Sequence, residues 1–302
     1  ALAAAGVGRL SLGVQDLDPY VQQAVRRVQS AAQIRRVVEG ARERGIGGIN
    51  IDLIYGLPFQ NVSGFLATVR EVLSLAPDRL AVFNFAFLPA RFRHQRALDP
   101  QALPGPEEKL SLLEETVREI TQAGYVFIGM DHFAKPGDPV AQAVADGTLT
   151  RNFQGYSTHA GTDLAAFGIS AISAISALGG GYAQNHRSLA EYRAAIEAGR
   201  LATERGLALS AEDRLRRDVI QELMCHFSLD KAAVASRHGI EFDRHFSAEL
   251  AALGPLAADG LTELLPDRLA VTPRGRFLVR NIAMAFDAYR AAAPAALYSR
   301  TV

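Results

Sequence analysis

Gly48-Ile49-Asn50-Ile51-Asp52-Leu53-Ile54-Tyr55-Gly56-Leu57-Pro58 reads as a β-strand closed by a Gly/Pro stop. Ile49, Ile51 and Leu53 fall on one face, and Asn50 and Asp52 on the other. A carboxylate on the second face of a parallel strand is costly unless a polar partner uses it. Two further stretches repeat the pattern. In Arg9-Leu10-Ser11-Leu12-Gly13-Val14-Gln15, Ser11, Gly13 and Gln15 lie opposite Leu10, Leu12 and Val14. In Leu80 to Pro89, Asn84 and Ala86 lie opposite Phe83, Phe85 and Phe87. Three successive strands with one greasy and one small or polar face predict an α/β barrel, open or closed, that holds a ligand near its strand C-termini.

Helical segments with clear punctuation separate these strands. Asp18-Pro19 caps a short helix through Val25, and Ser30 opens another that buries Ile34, Val37, Val38 and Ala41 and stops at Gly45. A helix from about Ser63 breaks at Pro77, and Pro106-Glu107-Glu108 begins one that ends at Gly124. A fourth strand is expected over Tyr125–Met130, so the order β-α-β-α-β-α-β predicts a parallel sheet with right-handed crossovers. After Gly181 the texture changes, and from Ser188 onward the chain is Ala-, Leu- and Arg-rich and reads as mostly helical. Leu261–Leu265 and Leu269–Thr272 flank Pro266-Asp267 as a small β wing, and a last helix is expected over Gly275–Ala288. The division is therefore 1–181 for the barrel part with its connecting segment and 182–302 for a helical, winged-helix-like domain.

Composition narrows the function classes. Of 302 residues, 49% are hydrophobic and 21% charged, which fits a large folded core rather than disorder. Lys+Arg and Asp+Glu balance at 32 each, and the winged part lacks a basic stripe, which argues against nucleic acid as partner. No apolar run reaches membrane-spanning length, and Cys225 stands alone, which excludes an internal disulfide and points to a reducing compartment; the cytoplasm and a monomer are expected. No Ser/His/Asp arrangement, phosphate loop or His/Cys metal spacing is visible. Gly179-Gly180-Gly181 lacks the context of a dinucleotide fingerprint and reads as a loop. In Met130-Asp131-His132-Phe133, neighbours on a strand face opposite ways, so Asp131 and His132 are not expected to act as a coupled pair. Gln15, Asn50, Asp52 and Asn84 at strand ends, with Arg27 nearby, suit a hydroxyl-rich or zwitterionic ligand, although each alone has an ordinary structural reading.

Gly13-Val14-Gln15-Asp16, Asn50 to Pro58, Phe127 to Pro136 and Arg151-Asn152-Phe153-Gln154-Gly155-Tyr156 closely resemble the oxygen-independent coproporphyrinogen III oxidases, radical S-adenosylmethionine enzymes of haem biosynthesis. The segment Gly129 to Pro136 followed by Arg151 to Tyr156 separates them from the related haem chaperones. The resemblance covers nearly the whole chain and implies an incomplete (β/α)6 barrel with a helical C-terminal domain. It implies S-adenosyl-L-methionine and a [4Fe–4S] cluster on a C-x-x-x-C-x-x-C loop as cofactors. Carried over by position, Gln15, Arg27, Asp52, Ala86 and Ile172 match contacts to S-adenosylmethionine, with Arg27 suited to a carboxylate.

The implied reaction is oxidative decarboxylation of two propionates of coproporphyrinogen III to vinyl groups by a 5′-deoxyadenosyl radical, with an external electron acceptor. Arg91, Arg93, Arg96 and Arg151 are candidates for the substrate's carboxylates. The cluster needs three thiolates, and this chain has one cysteine, so no metal ligand is assigned. The chain starts on a barrel strand without an initiator Met, and a fragment lacking roughly 100 residues of three βα units is expected. By itself it is expected to be inactive. The alternative is a cluster-less remnant that binds a tetrapyrrole or a partner protein without catalysis. The stretch Ala174 to Gly181 looks longer than the family's usual loop.

Overall fold

Strand and helix signals place a polar-faced sheet first and a helical region after it, and the computed structural model describes residues 1–176 and 180–290 of that chain. These form two compact units, residues 1–142 and 143–290. Residues 143–176, which the sequence reading includes in the barrel part with its connecting segment, cluster with the second unit.

The first unit runs β1 (Arg9–Gln15), α1 (Pro19–Ala24), α2 (Ala31–Arg42), β2 (Gly48–Tyr55), α3 (Val62–Ser74), β3 (Arg79–Asn84), α4 (Pro106–Gln122), β4 (Val126–Gly129) and β5 (His132–Ala134). Two of the caps, Asp18 and Ser30, are those the sequence announces, and Asn61 adds a third. Asp18 accepts from the Tyr20 and Val21 N–H groups, Ser30 from Gln33, and Asn61 from Gly64. β1, β2 and β3 are parallel neighbours. Ile49, Ile51, Leu53 and Tyr55 of β2 are buried, together with Phe65 and Val72 of α3. Each such side chain contributes roughly 1.5–3 kcal/mol of burial.

The fourth strand departs from expectation. β4 is only Val126–Gly129, and Met130 and Asp131 form a hairpin turn with Met130 at φ 52°. β5 returns antiparallel and inserts between β3 and β4, giving the order β1-β2-β3-β5-β4. A glycine at φ 142° followed by a left-handed residue breaks the strand where the apolar pattern runs on. His132 thus belongs to β5, and the strand parity assumed for Met130 to Phe133 does not apply. The sheet has two open edges, so the architecture of this unit is a partial, open α/β barrel.

α5 (Pro139–Ala145) leads the chain into the second unit. There β6 (Thr150–Asn152) and β7 (Gly155–Ser157) form a hairpin. β8 (Ile172–Ile175), β9 (Gly181–Asn185) and β10 (Thr203–Ala208) form an antiparallel sheet, with α6 (Leu189–Glu197) between the last two strands. Most of that sheet precedes Ser188, where the mostly helical part begins in the sequence reading, and only β10 lies beyond it; its strands are short and lack a buried alternating face. Helices dominate beyond it: α7 (Ala211–His226), then β11 (Ser228–Asp230), α8 (Lys231–His238), α9 (Phe242–His245) and α10 (Ser247–Ala258). β12 (Thr262–Leu264) and β13 (Arg268–Val271) form the expected wing around Pro266-Asp267, with β11 completing a three-stranded sheet. The expected last helix is broken into 3-10 turns around α11 (Val279–Ala283). Residues 177–179, in the loop that looked long in sequence, lie outside the described residues. Among the described residues no helix is long and apolar enough to cross a membrane.

Candidate functional site

Strand register decides which side chains share the open face of the first unit. Cross-strand partners point the same way, so Ser11, Asn50 and Arg79 form one row and Gly13, Asp52, Ala81 and His132 the next. The half-exposed positions of β2 alternate strictly with its buried ones, as a strand covered by helices on one side requires. Asn50 Nδ2 donates to Ser11 Oγ (2.8 Å) and Asp52 Oδ1 (2.7 Å), and Ser11 Oγ donates to Asp52 Oδ2 (3.0 Å). The carboxylate is thereby aimed and partly satisfied, with acceptor capacity left for a ligand. At the lower end of the face, Arg79 grips Asp138 with two bonds (2.7 and 2.9 Å), and Arg9 Nη1 lies 3.6 Å from the same carboxylate. Burial by itself raises the Asp138 pKa. The Arg79 bonds, the Val140 N–H and both arginine charges outweigh that and hold it below the ordinary carboxylate value.

Three of the expected site residues meet at Gly13. The register shifts between Gly13 and Gln15, a bulge that leaves Gln15 at φ 67° and re-aims its amide. A Cβ on Gly13 would come within 2.7 Å of Gln15 Nε2 and 2.9 Å of Arg27 Nη2, so only glycine leaves that cradle open. Arg27 Nη2 donates to the Gly13 carbonyl at 2.6 Å, and Gln29 Nε2 donates to the Gly13 and Val14 carbonyls. Gln15 Oε1 is buried without a hydrogen-bond partner, a cost that a ligand donor would relieve. Asp52 faces the same glycine across the β1–β2 ladder.

The turn after β1 is held by a residue the sequence reading quoted but did not assign. Asp16 is 2% exposed and accepts from Gln60 Nε2 (2.5 Å), Thr68 Oγ1 (2.7 Å) and the Asp18 N–H (2.8 Å). Its position two residues before the Asp18-Pro19 cap was the available signal. Ala86 lies just beyond β3, where Gln95 Nε2 donates to its carbonyl at 2.9 Å and Gln95 Oε1 accepts from the Leu88 N–H. Buried Gln95, also unassigned from sequence, fixes that segment.

Other expectations separate. Asn84 pairs in register with Tyr55, so it lies on the opposite face from Asp52, and Phe83 takes the open-face position instead. The sequence pattern made the apolar set of β3 the covered one, but Phe83 is 36% exposed, edge-on to the His132 ring at 5.7 Å. Ile172 is half-exposed at the start of β8 in the second unit. Arg91 lies over the Phe92 ring, Arg93 is exposed, and Arg96 donates to the Pro89 carbonyl, all in the segment after β3. Arg151, in the second unit, lies over the Tyr156 ring at 5.6 Å and lines a cleft of about 1130 Å³ with Asn152, Phe153, Tyr182 and Gln221. Cys225 is fully buried on α7, and burial pushes its thiol up to about 12. No group of three or more His, Cys, Asp or Glu among the described residues is placed to hold an ion.

Comparison with known proteins agrees with this architecture. Residues 1–72 match the model for the radical SAM superfamily and residues 209–278 that for the HemN C-terminal domain. Curated oxygen-independent coproporphyrinogen III oxidases are similar over almost the full chain. The one from Thermostichus vulcanus is 50% identical over 94% of this chain and 87% of its own length. The Pseudomonas aeruginosa protein is 46% identical over 98% of this chain and 64% of its own length. The Escherichia coli K12 protein is 47% identical over 95% and 62%. Against the latter two the chain thus spans less than two thirds of the relative. The solved structure of the Escherichia coli coproporphyrinogen III oxidase, described as a radical SAM enzyme, superposes with a TM-score of 0.89 at 47% identity, covering 95% of this chain and 66% of that one. By identity, coverage and fold alike, the chain belongs to the oxygen-independent coproporphyrinogen III oxidase family.

Proposed function

We propose that this chain supplies the S-adenosylmethionine-binding part of an oxygen-independent coproporphyrinogen III oxidase of haem biosynthesis, with the cytoplasm as its compartment. The observation that carries the reading is the Gly13 cradle: an orphaned Gln15 amide oxygen and the Arg27 guanidinium beside an aimed Asp52 carboxylate at the carboxyl ends of parallel strands. This donor and acceptor set fits the nucleoside cofactor. Asp52 accepts from ribose hydroxyls or an ammonium, Gln15 Oε1 takes a ligand donor, and Arg27 has further N–H groups for a carboxylate. Ala86 leaves room for backbone approach. In a complete enzyme, S-adenosylmethionine reduced by one electron from the cluster would supply a hydrogen-abstracting radical for the decarboxylation of two propionates of coproporphyrinogen III, an external acceptor taking the electrons.

The [4Fe–4S] cluster is a different matter. A lone buried thiol does not fit it, so these residues orient the nucleoside and contribute no step of the redox chemistry. The chain alone is therefore inactive in this reading. The large cleft of the second unit favours a second reading, in which the chain binds a tetrapyrrole without catalysis.

Calorimetric titration with S-adenosylhomocysteine, a stable stand-in for the cofactor, tests the first reading. The chain is expected to bind it, and Asp52→Ala to weaken binding by about tenfold or more, the loss of a charge-assisted hydrogen bond. Equal affinity in the two proteins removes Asp52 from the site. No binding by either removes the reading.

A further inference from the structure

Between α1 and α2 the chain makes a short excursion, residues 25–30, that carries Arg27 to the Gly13 carbonyl. Arg26 takes a left-handed backbone at φ 54°, and the Arg27 N–H returns to the Gln22 carbonyl at 2.9 Å. Arg26, Arg27 and Val28 are exposed, so apolar packing does not fix this excursion. Two glutamine amides do. Gln22, 5% exposed on α1, grips the backbone of Gln29 from both sides: its Nε2 donates to the Gln29 carbonyl (2.8 Å) and its Oε1 accepts from the Gln29 N–H (3.2 Å). The same Nε2 donates to the Asp16 carbonyl at 2.8 Å, in the turn after β1. Gln29, held in this way, sends its own Nε2 to β1, where it meets the Gly13 (3.1 Å) and Val14 (2.7 Å) carbonyls at the bulge. The Gly13 oxygen is therefore shared by Gln29 and by Arg27, whose Nη2 donates to it at 2.6 Å.

We infer that Gln29 is a positioning residue of the cofactor site, holding the Arg27 guanidinium in the pose that offers its remaining N–H groups to the carboxylate of the nucleoside ligand. The inference rests on the functional reading above and adds to it the group that sets the arginine's aim. A guanidinium binds a carboxylate through a planar fork, so orientation counts as well as charge. A long exposed side chain gives up rotamer freedom to adopt one orientation, and an anchor formed before the ligand arrives removes part of that cost. Without the Gln29 amide, the segment that bears Arg27 loses its tether to β1, and the Gly13 oxygen no longer fixes where the guanidinium stands.

The full chain is titrated calorimetrically with S-adenosylhomocysteine and with 5′-methylthioadenosine, which keeps the nucleoside and lacks the carboxylate. Gln29→Ala is expected to lose about fivefold in affinity for S-adenosylhomocysteine and less than about twofold for 5′-methylthioadenosine. In an Arg27→Ala background the same substitution is expected to cost less than about twofold for either ligand, because the two side chains act as one unit. Gln29→Glu keeps the shape, has no N–H for the carbonyls and offers the guanidinium a competing carboxylate. It should lose at least as much affinity for S-adenosylhomocysteine as Gln29→Ala does. A tether that served the fold alone would weaken both ligands together. Equal S-adenosylhomocysteine affinity in wild type and either variant overturns the inference alone. So does an equal loss for the two ligands, or an undiminished loss in the Arg27→Ala background. If Gln29→Ala does not unfold cooperatively, Gln29→Glu takes its place in the same comparisons, and failure of both to fold marks Gln29 as structural and overturns the inference as well. Wild type that binds neither ligand overturns the functional reading and this one with it.

Discussion

Asp138 shows how a single carboxylate is made indispensable. It sits 5% exposed at its side chain between Arg79 and Arg9, on the loop that leaves β5. Its pKa is held below the ordinary carboxylate value, about 3.9 in an unfolded chain. The stability this confers is complete above about pH 4 and is lost as the pH falls from there through the folded-state value. Asp138→Asn, which leaves Arg79 without its anion, should cost about 3 kcal/mol at neutral pH in denaturant titrations. It should also flatten the fall in stability below about pH 4; an unchanged acid slope would mean the pair is not the source. At the same scale, Asp52 and Gln15 stood out in the sequence because a polar residue at alternate positions of a strand has no cheap place to go, whereas Arg27, outside any strand, took its role only from the family resemblance. Asp16 and Gln95 were not, because nothing local distinguishes a buried hydrogen-bond hub from a capping or surface residue until its donors arrive from elements tens of positions away.

Elements announced by caps and breakers stand close to where the sequence placed them. α2 follows Ser30, α4 opens at Pro106, and the wing turns at Pro266-Asp267. Short strands fared worse. β8 to β10 have no buried alternating face, and β5 is three residues long, so neither periodicity nor length marked them. The expected terminal helix begins instead with a tight 3-10 turn at Gly275. A Cβ there would lie 1.8 Å from the Leu261 carbonyl oxygen and 2.8 Å from its carbon, backbone atoms that cannot rotate away. Gly275→Ala should therefore destabilise the second unit by about 3 kcal/mol or more, since the wing and the turn have to separate. Thermal unfolding followed by circular dichroism checks this, and a loss under about 1 kcal/mol would show that the approach relaxes cheaply.

For the whole molecule, each of the two units has its own buried core, with Leu53 and Ile120 in the first and Leu223 and Leu253 in the second. One thiol, buried and raised to about 12, serves the entire chain. Reconstitution of these 302 residues with iron and sulfide is accordingly expected to yield no iron–sulfur charge-transfer absorbance and no cleavage of S-adenosylmethionine; either signal would contradict the proposed division of labour. The sequence alone determined the fold class, the parallel β1-β2-β3 core, the helix caps and the polar strand ends, since alternation, propensity and capping act over a few residues. Only the tertiary structure decided that β5 enters between β3 and β4, that Asn84 turns away from Asp52 while His132 joins its row, and that 143–176 clusters with the second unit. Those outcomes depend on register between distant strands, where a shift of one residue reverses every side chain, and no local pattern carries that information.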